Sequence, residues 1–68
     1  MIPKGTRVER GGFGRGTVKA GPFSKFDIYA VEFDNFHHTQ GDCNTYGGPH
    51  CKAGHGAWCE ERQLIIIP

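Results

Sequence analysis

Short alternations of apolar and polar residues, interrupted every few positions by glycine, run through this chain. No segment carries an apolar stripe of helical period. Thr6-Arg7-Val8-Glu9-Arg10 predicts a first strand, with Val8 turned inward and Arg7 and Glu9 outward. Gly16-Thr17-Val18-Lys19-Ala20 predicts a second, closed by Gly21-Pro22. Ile28-Tyr29-Ala30-Val31-Glu32-Phe33 is the clearest strand, rich in β-branched and aromatic residues, with Tyr29, Val31 and Phe33 on one face. Asp34-Asn35 ends it. About twenty residues without strand character follow, a length that is uncommon in small domains unless the loop is functional or tied down. Ala57-Trp58-Cys59 restores the strand pattern, Glu60-Glu61-Arg62-Gln63 predicts a single 3-10 turn, and Leu64-Ile65-Ile66-Ile67 predicts a last strand.

These elements predict an all-β fold, a small five-stranded SH3-like barrel forming one domain over residues 1–68. Its expected core is Val8, Val18, Val31, Phe33, Trp58 and Leu64, with Cys59 buried as a small apolar residue. Ile65, Ile66 and Ile67 alternate faces, so at least one must point outward and present an edge to a partner. A chain of 68 residues is small for such a fold. Domains of this size bury only roughly 60% of their unfolded surface and often lean on a metal, a disulfide or a partner. Hydrophobic content of 37%, with five Phe, two Tyr and one Trp, still supports a packed core rather than disorder.

All three cysteines and all four histidines fall between His37 and Cys59. Those residue types bind zinc or cross-link a chain, so the long loop is a candidate for pinning by chemistry rather than by apolar contacts. A structural zinc takes four Cys or His ligands in a tetrahedron. The candidates are His38, Cys43, Cys51 and His55, with His37 and His50 as alternatives for the fourth place. A site closed by four protein ligands argues for a structural role and against hydrolysis. Two other outcomes are open: a disulfide between Cys43 and Cys51, or reduced thiols beside solvated histidines. The odd cysteine count forbids a fully paired framework within one chain. With no apolar leader and no run of about 18 apolar residues, a reducing cytoplasmic setting without a membrane span is the expectation.

Net charge is only +1, but its distribution is uneven. Residues 1–25 sum to +5 and the remainder to −4. Phe13 lies among the basic residues Arg7, Arg10, Arg15, Lys19 and Lys25. Aromatic rings beside cations can stack bases and hold phosphates. The plainer account has Phe23 and Phe26 capping the open end of the barrel. Gly12-Phe13-Gly14-Arg15-Gly16 is a hairpin rather than a phosphate loop, because neither a Gly-Lys-Ser/Thr ending nor a helix follows.

Gly5-Thr6-Arg7-Val8 with Gly14-Arg15-Gly16-Thr17-Val18 resembles the opening of KOW, Tudor and CAP-Gly domains. Val31-Glu32-Phe33-Asp34 and Gly54-His55-Gly56 extend the likeness to CAP-Gly. The groove motif of that family, Gly-Lys-Asn-Asp, is missing, so its peptide-tail recognition does not carry over. Cys43 and Cys51-Lys52-Ala53-Gly54-His55-Gly56-Ala57-Trp58 resemble a Cys…Cys-Lys-x-Gly-His-Gly-aromatic segment in small proteins of tailed phages. Many of those carry a histidine two residues before the first cysteine, where this chain has Gly41. The resemblance implies a barrel more than an activity, and a host cytoplasm as the setting. The expected function is a non-enzymatic binding module for a host or viral protein, its loop clamped by zinc. Nucleic-acid binding through the basic first hairpin is the alternative.

Overall fold

Three residues join the first two strands, and only an antiparallel pair closes over so short a connection. In the computed structural model, which describes residues 1–36 and 48–68, this hairpin is β1 (Arg7–Arg10) and β2 (Gly14–Phe23). β3 (Ile28–Phe33), β4 (Gly56–Glu60) and β5 (Ile65–Ile66) complete one antiparallel sheet in the order β4-β3-β2-β1-β5. Two single-turn 3-10 segments, Gly48–His50 and Glu61–Gln63, lie between strands, and no α-helix occurs among the described residues. The fold is all-β, as the alternation predicts. The sheet is open rather than a hydrogen-bonded barrel: β4 and β5 are its edges, and no ladder joins them among the described residues.

β2 is twice the predicted length, because Gly21-Pro22 does not end it. Register shifts between Val18 and Ala20, and again between Ala20 and Phe23, bend the strand. Proline is tolerated at such irregularities, where the ladder needs no N–H from it. Two glycines are required by close approach. A Cβ on Gly16 would sit 2.8 Å from the Glu32 carbonyl oxygen and 2.9 Å from the Phe33 ring. One on Gly21, where φ is +122°, would meet the Tyr29 ring at 2.8 Å.

Val8, Val18, Tyr29, Val31, Phe33 and Cys59 form the fully buried centre, joined by Ile2 and Ala57. Phe13 and Leu64 pack partly buried against it. Trp58 corrects the expected core: it is 42% exposed. The β3–β4 register pairs Tyr29 with Cys59 and Ala30 with Trp58, so Cys59 takes the inner face and Trp58 the outer. Two adjacent strand residues cannot both point inward.

The 3-10 turn at Glu61–Gln63 carries a capping box. The Glu60 N–H donates to the Gln63 side chain at 2.9 Å, and the Glu60 carboxylate accepts from the Gln63 backbone. This turn reverses the chain from β4 into β5. The Ile67 N–H then donates to the Arg7 carbonyl at 2.9 Å and extends the β1–β5 pairing.

Candidate functional site

The outer face of β3 carries Ile28, Ala30 and Glu32, and Ala30 at its centre is a small residue that is fully buried although it points away from the core. Trp58 on β4 lies opposite it, and Phe23 at the end of β2 reaches over from the other side. The Phe23 and Trp58 rings meet edge to face, with centroids 5.8 Å apart. His50, the last residue of the 3-10 turn Gly48–His50, adds its ring 6.0 Å from Phe23. Phe23 remains 41% exposed and Trp58 42%, so the pair presents aromatic area to solvent beside the buried alanine. Parity along Ala57-Trp58-Cys59 is the sequence signal that could have found this face.

Of the four proposed metal ligands, His38 and Cys43 lie outside the described residues, as does the alternative His37. Cys51 is buried and His55 half-buried. They flank a tight turn in which the His55 N–H donates to the Lys52 carbonyl at 3.0 Å. Gly54 at φ +83° supplies the left-handed residue that such a turn needs. The Lys52 N–H is held at 2.7 Å by the Glu32 carboxylate, tying the turn to β3. His55 pairs with Phe33 twice: its carbonyl accepts from the Phe33 N–H at 2.9 Å, and its Nδ1 lies 2.9 Å from the Phe33 carbonyl. A carbonyl only accepts, so Nδ1 carries the proton. In the neutral ring Nε2 is then the lone-pair nitrogen, the state a zinc ligand needs, and a backbone carbonyl behind the other nitrogen is the usual orienting partner. The Phe36 ring stands edge-on to this imidazole at 5.7 Å. Among the described residues no group of three or more His, Cys, Asp or Glu converges on one point.

Cys59 is a free, buried thiol. Burial pushes its pKa up, against the opposing pull of Arg10, whose Nη1 donates to the sulfur at 3.2 Å. It packs in the core, and its raised pKa disfavours the thiolate.

The six residues of the basic alternative do not form one unobstructed patch. Arg7 grips Asp34 with both guanidinium ends, one at 2.8 Å, and also donates to the Thr17 hydroxyl at 2.8 Å. The hydrogen bond and charge of Arg7 hold the Asp34 carboxyl below its usual range. Arg10 folds back over the Phe13 ring at 4.5 Å, and Phe13 in turn packs on Phe33 with centroids 5.0 Å apart. Arg15 lies 3.8 Å from Glu9, its partner across β1 and β2. Lys25 rests over Phe26 at 5.3 Å, while Lys19 is half-buried on β2.

No known family model matches this chain, and no curated protein matches it either.

Proposed function

We propose that this chain is a small, non-enzymatic SH3-like binding module of the tailed-phage kind, contacting a host or viral protein through the Phe23–Trp58–His50 face. The observation that carries the reading is the exposed edge-to-face pair of Phe23 and Trp58 over buried Ala30. Large rigid rings on a strand scaffold offer contact area at small entropic cost, which is why tryptophan and tyrosine dominate binding hot spots. Affinity enrichment from host lysate with the intact chain and with Trp58→Ala tests it. The expected result is a partner retained by the first and lost by the second. Equal retention by a correctly folded Trp58→Ala would remove the aromatic face from the proposal.

A structural zinc in the 34–56 loop belongs to the same reading, with His38, Cys43, Cys51 and His55 as its ligands. Its support is the fixed tautomer of His55 beside buried Cys51. The ion would hold the loop, and with it His50, against the sheet. Untagged protein prepared without chelator is expected to carry about one zinc per chain, and His55→Ala or Cys51→Ser to lose it. The nucleic-acid alternative is disfavoured by the engagement of Arg7 with Asp34 and of Arg10 with Phe13 and Cys59. Salt-dependent retention on DNA or RNA that disappears in Arg10→Ala/Arg15→Ala would revive it.

A further inference from the structure

β4 and β5 are the two edges of the sheet, and they differ in whether another strand can join them. β5 is two residues long, and Pro68, which has no N–H to donate, follows just beyond Ile67. β4 is five residues long and pairs with β3 in one unshifted register from Gly56 to Glu60. Sheet edges are usually blunted by shortness, proline, lysine or a bulge, and β4 has none of these. Its single charged residue, Glu60, accepts from Arg62 at 2.6 Å.

The direction of each backbone group on β4 follows from its register. The Phe33 N–H donates to the His55 carbonyl at 2.9 Å, which makes Val31–Ala57 and Tyr29–Cys59 the next hydrogen-bonded pairs. The Glu61 N–H, donating to the Asp27 carbonyl at 3.0 Å, continues the same phase. Gly56, Trp58 and Glu60 therefore turn their N–H and C=O away from β3. The Glu60 N–H is taken by the Gln63 side chain at 2.9 Å, and Gly56 is buried. Trp58 is the exposed one, and β4 has no strand neighbour on that side among the described residues. One residue thus offers a donor, an acceptor and a ring braced edge to face by Phe23.

We propose that the partner of the aromatic face enters as an extended segment that adds to β4 as a sixth strand. Its backbone accepts from the Trp58 N–H and donates to the Trp58 carbonyl, the mode by which extended peptides join a sheet edge. The inference rests on the Phe23–Trp58 face as the contact surface and specifies what occupies it. A helix has already spent its N–H and C=O groups internally, so only an extended backbone satisfies those of Trp58. The residue paired with Trp58 carries its side chain on the same face of the sheet, where the two rings lie. That side chain is apolar, since Arg62 already holds the one carboxylate of β4.

The test is an amide-resolved NMR titration of the full-length chain with the capped, neutral peptide Thr-Val-Leu-Val-Thr. Its counterpart is the same peptide N-methylated at Val, Leu and Val, which keeps the side chains and removes the central donors. The unmodified peptide is expected to shift the Trp58 amide and indole N–H at millimolar concentration, and to slow exchange of the Trp58 amide with solvent. Affinity should fall about tenfold for the N-methylated peptide. Trp58→Ala keeps the backbone, so it should weaken binding while discrimination between the two peptides stays. Four results would overturn the proposal: equal binding of the two peptides, no shifts at millimolar peptide, shifts confined to β5, or the same shifts on raising protein concentration alone. The last would give the edge to a second copy of the chain. Discrimination with no loss in Trp58→Ala would keep the added strand and remove the aromatic reading, so the two failures are told apart.

Discussion

The two faces of β3 solve burial in different ways. On the inner face Tyr29, Val31 and Phe33 are large, alternate strictly and are sealed by Val8, Val18 and Cys59. On the outer face the central residue is Ala30, equally buried, with Trp58 opposite it on β4 and Phe23 against Trp58, both rings nearly half exposed. A face that fills its own volume is a core. A face whose small residue is flanked by aromatic neighbours leaves area for another molecule, so the same strand supports stability on one side and contact on the other.

Breaking the inner face should have the largest effect. Phe33→Ala removes a fully buried ring and is expected to cost about 3–5 kcal/mol, enough to unfold much of a domain this small, as read from urea denaturation. Gly16→Ala attacks the same face from the backbone. Its added methyl meets the Glu32 carbonyl and the Phe33 ring with no flexible neighbour to yield at the carbonyl, and about 1–3 kcal/mol is expected in the same assay.

Tyr29 sharpens the comparison at the rim of the core. Its ring is buried, while its hydroxyl accepts from the Ile2 N–H at 2.9 Å and donates to Glu61. Burial, more than Glu61 and against the pull of the Ile2 N–H, raises its pKa above the ordinary tyrosine value. The folded state therefore holds the phenol proton after the unfolded chain has released it. This contribution to stability is complete below about pH 10 and is lost as pH rises through the higher folded value. Tyr29→Phe should lose about 1–2 kcal/mol at neutral pH, because the buried Ile2 N–H loses its acceptor, and should flatten the alkaline limb of a stability–pH curve.

The outer face should be the least sensitive of these. Trp58→Ala uncovers Ala30 and removes a half-exposed ring, for a cost of about 1 kcal/mol by thermal denaturation, well below Phe33→Ala. A cost as large as that of the inner-face variant would mean that Trp58 is structural, and the distinction between the two faces would fail.

Much of this molecule is visible in its residues. The bounds of β3 follow from its run of β-branched and aromatic side chains, and Val8, Val18, Val31 and Phe33 take the inner face because strand parity leaves them no other. The 3-10 turn before β5 is expected over Glu60-Glu61-Arg62-Gln63, and the capping box between Glu60 and Gln63 is what the structure adds. The full extent of β2 does not, because Gly21-Pro22 reads as a stop unless the bulges that accommodate it are known. Of the candidate zinc set, Cys51 and His55 are legible as residue types, but the carbonyl that selects the His55 tautomer belongs to Phe33, 22 positions away.

Alternation and turn chemistry by themselves determined an all-β chain of five strands, since both act between residues a few positions apart. Tertiary structure decided the rest: which neighbour of the Trp58-Cys59 pair turns inward, and how Arg7 and Arg10 are consumed by Asp34, Phe13 and Cys59. Those outcomes depend on cross-strand register and on contacts between distant segments, and no local pattern encodes a distance that only the folded chain creates.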